Sequence, residues 1–153
     1  MGSRFVYVTY IRTTPAKLWE ALTKSEFTRQ YWCGMDLESG WQVGSPWRMK
    51  FPDGRVSDTG EVIEVEPGKR LVLKWQNEFK PELKAEGFTT CTFDIVAHGD
   101  VTELKITHEI DRDRSKMVEA VGNGWPKVLS ELKSLLETGK PLHLEPGEGH
   151  QRK

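Results

Sequence analysis

The last quarter of the sequence constrains the fold most. From Ser115 to Gly139, the residues Met117, Val118, Val121, Trp125, Val128, Leu129, Leu132, Leu135 and Leu136 recur at three- and four-residue spacing, which predicts one amphipathic helix of about six turns. Gly122-Asn123-Gly124 and Pro126 interrupt the stretch. A proline there removes a backbone donor and crowds the preceding turn, so a kink is expected near Trp125. Gly139 and Pro141 end the helix. An apolar stripe of this length must lie on another apolar layer, and the rest of the chain has to supply it.

The rest reads mainly as strands. Phe5 to Ile11 is rich in β-branched and aromatic residues and predicts a first strand. Thr14-Pro15 then starts a helix to about Thr23, since the threonine oxygen can cap and proline needs no donor at the first helical position. Leu18, Trp19 and Leu22 form its apolar stripe, and Ser25 opens a second short helix that carries Tyr31 and Trp32 and ends at Gly34. The middle alternates apolar and polar residues between turn signals at Asp53-Gly54, Pro67-Gly68 and His98-Gly99-Asp100. Strands are expected near 35–40, 46–51, 55–66, 70–76, 87–98 and 101–110. With Gly99-Asp100 as a two-residue loop, His98 faces Val101. Cys91 with His108, Phe93 with Ile106 and Ile95 with Leu104 then share the core face, and Thr92, Asp94, Glu103, Lys105 and Thr107 share the solvent face.

The expected architecture is α+β: a curved antiparallel sheet of six to seven strands wrapped around a long C-terminal helix, with two short helices after the first strand. The 153 residues, 37% of them apolar, suit one domain that buries roughly two thirds of its unfolded surface. Residues 1–140 form that domain, and 141–153 read as a flexible polar tail. With 22 basic and 23 acidic residues well mixed, neither nucleic acid nor an anionic membrane is an expected partner. No segment approaches the roughly 18 apolar residues of a membrane span, and the start lacks a signal-peptide layout, so a cytoplasmic location is expected. Cys33 and Cys91 form no CxxC unit and are expected as two buried thiols. No phosphate loop, metal-ligand spacing or Ser-His-Asp order is present, and neither a cofactor nor a metal is expected.

Several spaced segments carry a family resemblance. Thr14-Pro15-Ala16-Lys17-Leu18-Trp19-Glu20-Ala21-Leu22-Thr23, Trp32, Gly60-Glu61-Val62-Ile63-Glu64-Val65 before Pro67-Gly68, and Leu71-Val72-Leu73-Lys74-Trp75 belong to it. So do Val101 to His108 and the helix from Gly124-Trp125-Pro126 through Leu136-Glu137. Across roughly residues 5–140 the chain resembles the activator of heat shock protein 90 ATPase homologue family, within the START-like SRPBCC superfamily. The resemblance implies a helix-grip fold. It also implies one of several roles, because members range from a domain of heat shock protein 90 cochaperones to binders of small apolar molecules, and wider relatives include lipid carriers and polyketide cyclases.

The site must therefore be sought in the residues themselves. Six tryptophans stand at 19, 32, 41, 47, 75 and 125, and a sheet closed over a helix leaves room for a cavity they would wall. The expected ligand-binding residues are Trp32, Trp47, Met49, Trp75, Phe93, His108 and Trp125. His108, on the apolar face, could bond a ligand oxygen or simply a neighbouring hydroxyl. A Cys91–His108 nucleophile pair lacks a third orienting group and an oxyanion site, and no catalytic residue is assigned. Noncatalytic binding of a small hydrophobic, lipid-like or aromatic molecule is the favoured reading. A stress-related chaperone cofactor is the alternative, and a cyclase-like or hydrolase-like enzyme using His108 the third. Exposed aromatics near the second helix would equally suit a homodimer contact.

Overall fold

A computed structural model describes residues 2–144. Strand β1 (Ser3–Ile11) is followed by helices α1 (Pro15–Thr23) and α2 (Ser25–Tyr31). A meander then runs through β2 (Asp36–Ser39), β3 (Pro46–Lys50), β4 (Val56–Glu66) and β5 (Arg70–Asn77). A short helix α3 (Pro81–Lys84) precedes β6 (Thr89–His98), β7 (Val101–Ile110) and the long helix α4 (Lys116–Thr138). The strands form one seven-stranded sheet in the order β1-β7-β6-β5-β4-β3-β2, with every neighbouring pair antiparallel. The expected architecture is the observed one. The added element is α3, where Pro81 pre-sets the backbone and Leu83 is buried.

Local chemistry sets the boundaries. The Thr14 hydroxyl accepts the Lys17 amide at 3.2 Å, and the Ser115 hydroxyl accepts the Val118 amide at 3.1 Å. The Glu86 carboxylate reinforces the start of α4, accepting the Ser115 hydroxyl at 2.6 Å and the Lys116 amide at 2.8 Å. Gly139, at φ +86°, closes the helix as a left-handed cap whose amide reaches the Leu135 carbonyl. Between these ends α4 is continuous through Gly124 and Pro126. Gly122 places α4 close to β1, since a Cβ there would lie 3.0 Å from the Phe5 ring.

The β6–β7 register is the expected one, with His98 opposite Val101 and Cys91 opposite His108. The outer face is less uniformly solvated than the alternation implies: Val72 and Thr92, partners on adjacent inner strands, are both buried. A second difference concerns the thiols. Cys91 is buried, but Cys33 is exposed, at φ +52° in the turn that ends α2. The segment expected as a tail begins in contact with the domain, for the amides of Leu142, His143 and Leu144 all donate to the Glu131 carboxylate on α4. Residues 145–153 lie outside the described residues.

One helix cannot cover seven strands. Strands spaced about 4.8 Å apart make a sheet about 30 Å wide, whereas a helix with its side chains is only about 10–12 Å across. Helix α4 packs chiefly against β1, α2 and β7. The inner face of β3, β4 and β5 is left facing a gap.

Gly60 is essential to that inner face. It sits opposite both Trp47 and Trp75, and a Cβ on it would lie 1.7 Å from the Lys74 carbonyl oxygen and 2.5 Å from the Trp47 indole nitrogen. The Trp47 indole donates to that same carbonyl at 2.8 Å. Replacing Gly60→Ala is expected to destabilise the protein by about 1–3 kcal/mol or more, as overpacking does. Urea unfolding checks this, and an unchanged midpoint would show that the strands part without cost.

Candidate functional site

Four tryptophans form one cluster beneath α4. Trp75 on β5 meets Trp47 of β3 at 4.7 Å between ring centroids, Trp125 of α4 at 5.9 Å and Trp32 after α2 at 6.3 Å. Trp32 and Trp125 are 5.2 Å apart, and Phe93 of β6 meets Trp125 edge-on at 5.8 Å. Such tilted and edge-on contacts suit the ring quadrupoles.

Burying these indoles creates a demand for acceptors, and His108 meets one of them. The Trp125 Nε1–H donates to His108 Nδ1 at 3.3 Å. An indole nitrogen can only donate, so Nδ1 is bare and the imidazole proton sits on Nε2. That proton goes to Thr89 Oγ1 at 2.7 Å, and the threonine hydroxyl in turn donates to the Trp75 carbonyl at 3.2 Å. A directed relay thus joins α4 to β7, β6 and β5. Burial pushes the His108 pKa down to about 3, which keeps the ring neutral as the relay requires.

This arrangement settles the chemistry available to His108. Both ring nitrogens are engaged, and burial raises the Cys91 thiol well above its ordinary value. The Cys91–His108 pair therefore has neither a thiolate nor an unoccupied base. Among the described residues no three His, Cys, Asp or Glu side chains gather as a metal would require. Among the described residues no helix is long and apolar enough to cross a membrane.

The gap left by α4 is a cavity of about 880 Å³ that opens to solvent. Four of the seven expected ligand residues line it: Trp32, Met49, Trp75 and Trp125. Trp47, Phe93 and His108 do not; they sit behind the wall, packed against Trp75 and Trp125. Phe51, Leu83, Ala120, Val121 and Val128 add apolar lining. Arg29, Arg55, Lys80 and Lys127 add basic side chains, and Pro141, His143 and Leu144 come from the segment held by Glu131.

Two polar lining residues escape a reading of the sequence for catalytic motifs. Asp58 on β4 is buried, and its Oδ2 accepts the Trp75 indole N–H at 2.8 Å. Burial raises its pKa to about 6, against the pull of hydrogen bonds from Ser57 and Trp75 and with a push from Glu78. Asn77, its partner in the β4–β5 register, is also buried. Asn77 Oδ1 accepts the amides of Phe79 and Lys80, so Nδ2 is the part left over, and it has no hydrogen-bond partner among the described residues. The signal for both was periodic: Asp58, Gly60 and Val62 share one face of β4, as Leu71, Leu73, Trp75 and Asn77 share one face of β5.

Fold and site together define the class, a helix-grip domain whose sheet and long helix enclose a solvent-open hydrophobic cavity. The family described as Activator of Hsp90 ATPase homolog 1-like protein matches residues 12–137, and the chain belongs to that family. Similar solved structures include a protein from Mesorhizobium loti, 25% identical with a TM-score of 0.73, the match covering 88% of this chain and 96% of that one. The solution structure of the Aha1 dimer from Colwellia psychrerythraea is 21% identical with a TM-score of 0.73, covering 90% and 98%. An HSP90 activator from Plasmodium falciparum is 21% identical with a TM-score of 0.71, covering 87% and 95%. At 21% identity the likeness is one of fold. No curated protein matches the sequence.

The two buried titrating groups act on stability in opposite directions. His108 takes its proton at about 6.5 when unfolded but only near 3 when folded, so stability is lost as pH falls through that interval. Asp58 takes its proton near 6 when folded and at about 3.8 when unfolded, so its burial favours the fold below 3.8 and that advantage is lost as pH rises through 6. The contributions offset each other between roughly pH 4 and 6. In Asp58→Asn the His108 contribution stands alone, and the acid loss of stability steepens by up to about 1.4 kcal/mol per pH unit. Urea unfolding across that range checks this; parallel profiles for the two proteins would contradict the Asp58 assignment.

Proposed function

We propose that this protein holds a small hydrophobic molecule, aromatic or lipid-like, in the cavity beneath α4 and does so without catalysing its conversion. The observation that carries this is the cavity itself, about 880 Å³, faced by Trp32, Met49, Phe51, Trp75, Leu83 and Trp125. Both the volume and the aromatic and aliphatic walls, with polar side chains among them, are those of a small-molecule site. Trp32, Met49, Trp75 and Trp125 would touch the ligand. Trp47, Phe93 and His108 would hold those walls in place.

A second reading, a stress-related chaperone cofactor, is supported by family membership and by the neighbours named as Aha1 and as an HSP90 activator. It predicts that adding this protein to purified Hsp90 changes the ATPase rate. An unchanged rate and no binding would remove it.

For the cavity, titration with naphthalene and with decanoate is expected to give a saturable change in tryptophan fluorescence. The NMR shifts should centre on Trp32, Trp75 and Trp125. Ala120→Trp, which places an indole in the space, should abolish saturation while leaving the fold intact by circular dichroism. A wild-type protein with no saturable response to either probe would contradict the proposal.

A further inference from the structure

The cavity is apolar on most of its surface, but Asp58 and Asn77 stand directly opposite each other on its β4–β5 wall. Cross-strand partners on one face bring their Cβ atoms to about 4.5–5.5 Å, close enough for both side chains to engage one small molecule. The two are chemically complementary. A carboxylate accepts as many as about four hydrogen bonds; at Asp58 the Trp75 indole takes one on Oδ2, while the Ser57 hydroxyl donates to the Met49 carbonyl, so acceptor capacity remains. Asn77 offers a donor, because its Oδ1 is committed to the Phe79 and Lys80 amides and its Nδ2 has no partner among the described residues. Asn77 is only 6% exposed and Asp58 8%. A buried amide nitrogen without a partner costs stability, and a ligand acceptor placed there relieves that cost.

Resting on the reading of the cavity as a hydrophobic-ligand site, we propose that Asp58 and Asn77 form a donor–acceptor edge that selects a planar, mostly apolar molecule carrying an N–H or O–H beside a carbonyl, as in a lactam or a primary amide. The ligand donor goes to Asp58, its carbonyl accepts from Asn77 Nδ2, and its ring system lies against the Trp32, Trp75 and Trp125 rings. A purely aliphatic chain would fill the volume and leave Asn77 unpaired.

Three bicyclic probes of similar size separate the possibilities. 2-Quinolone carries both N–H and carbonyl, N-methyl-2-quinolone only the carbonyl, and naphthalene neither. Calorimetric and NMR titrations at about pH 8 are expected to show 2-quinolone binding about tenfold or more tighter than the other two, the effect of one hydrogen bond to a charged acceptor. Asp58→Asn retains an oxygen for Trp75 but presents an amide to the ligand. Asn77→Asp retains the oxygen that caps Phe79 and Lys80 but removes the donor. Asp58→Asn should abolish the preference for 2-quinolone over N-methyl-2-quinolone, and Asn77→Asp should weaken both carbonyl-bearing probes relative to naphthalene. Equal binding of all three probes to the wild-type protein would overturn the donor–acceptor edge and leave the hydrophobic site standing. A preference over N-methyl-2-quinolone that survives Asp58→Asn, or carbonyl-bearing probes that Asn77→Asp does not weaken relative to naphthalene, would also overturn it. Binding of none of the three would overturn the site and the edge together.

Discussion

The structure depends on how α4 is docked to the sheet, and the relay from Trp125 through His108 and Thr89 to the Trp75 carbonyl fixes that docking. Leucine-to-leucine contact along α4 supplies most of the burial, but apolar contact is nondirectional and tolerates sliding. The relay does not. Its donors and acceptors match in only one proton arrangement, and displacing α4 would strand the Trp125 indole N–H and a ring nitrogen in an apolar interior at about 1–3 kcal/mol each. It sets the depth at which Trp125 enters the domain, and hence the position of the cluster that ends the cavity.

From that docking the cavity follows. Helix α4 lies over β1 and β7, α1 and α2 close the space near β2, and the inner face of β3 to β5 is covered at one end by indoles packed against each other. The Trp47 indole is held in place by its bond to the Lys74 carbonyl, which Gly60 permits by having no Cβ. Trp75 is held from two directions, by the Asp58 carboxylate at its nitrogen and by Thr89 at its carbonyl. Rigid walls preserve the space beyond them. Side chains able to collapse into it would have closed it, as protein interiors do.

Much of this was legible in the sequence. The two periods, 2 in the middle and 3.6 at the end, identify the sheet and the helix, and turn chemistry at Gly99-Asp100 gives the β6–β7 register, including His108 on the core face. The role of His108 was not legible, because register says which face a residue occupies and not which partners reach it from a helix distant in the chain. Trp47 and Phe93 share the cavity face of the sheet yet stand behind other rings for the same reason. Helix α3 escapes notice because four residues carry no period. Asp58 keeps the period of Gly60 and Val62, but the β-bulge between Met49 and Lys50 buries its neighbour Ser57 as well, so the alternation breaks at the residue before it and the face of Asp58 is harder to read. Asn77, at the end of β5, reads as a turn residue, and it is one: its side-chain oxygen caps the next two amides while its nitrogen remains uncommitted.

The central claim is that the space beneath α4 is a lasting apolar cavity, held open by packed indoles. Xenon enters such spaces without needing a hydrogen bond, so a crystal structure under xenon pressure tests the claim most directly. The account predicts xenon between Met49, Trp32, Trp75 and Trp125 with those side chains unmoved from their positions in the unpressurised crystal. A crystal in which these side chains have closed together, with no xenon between them, would contradict it.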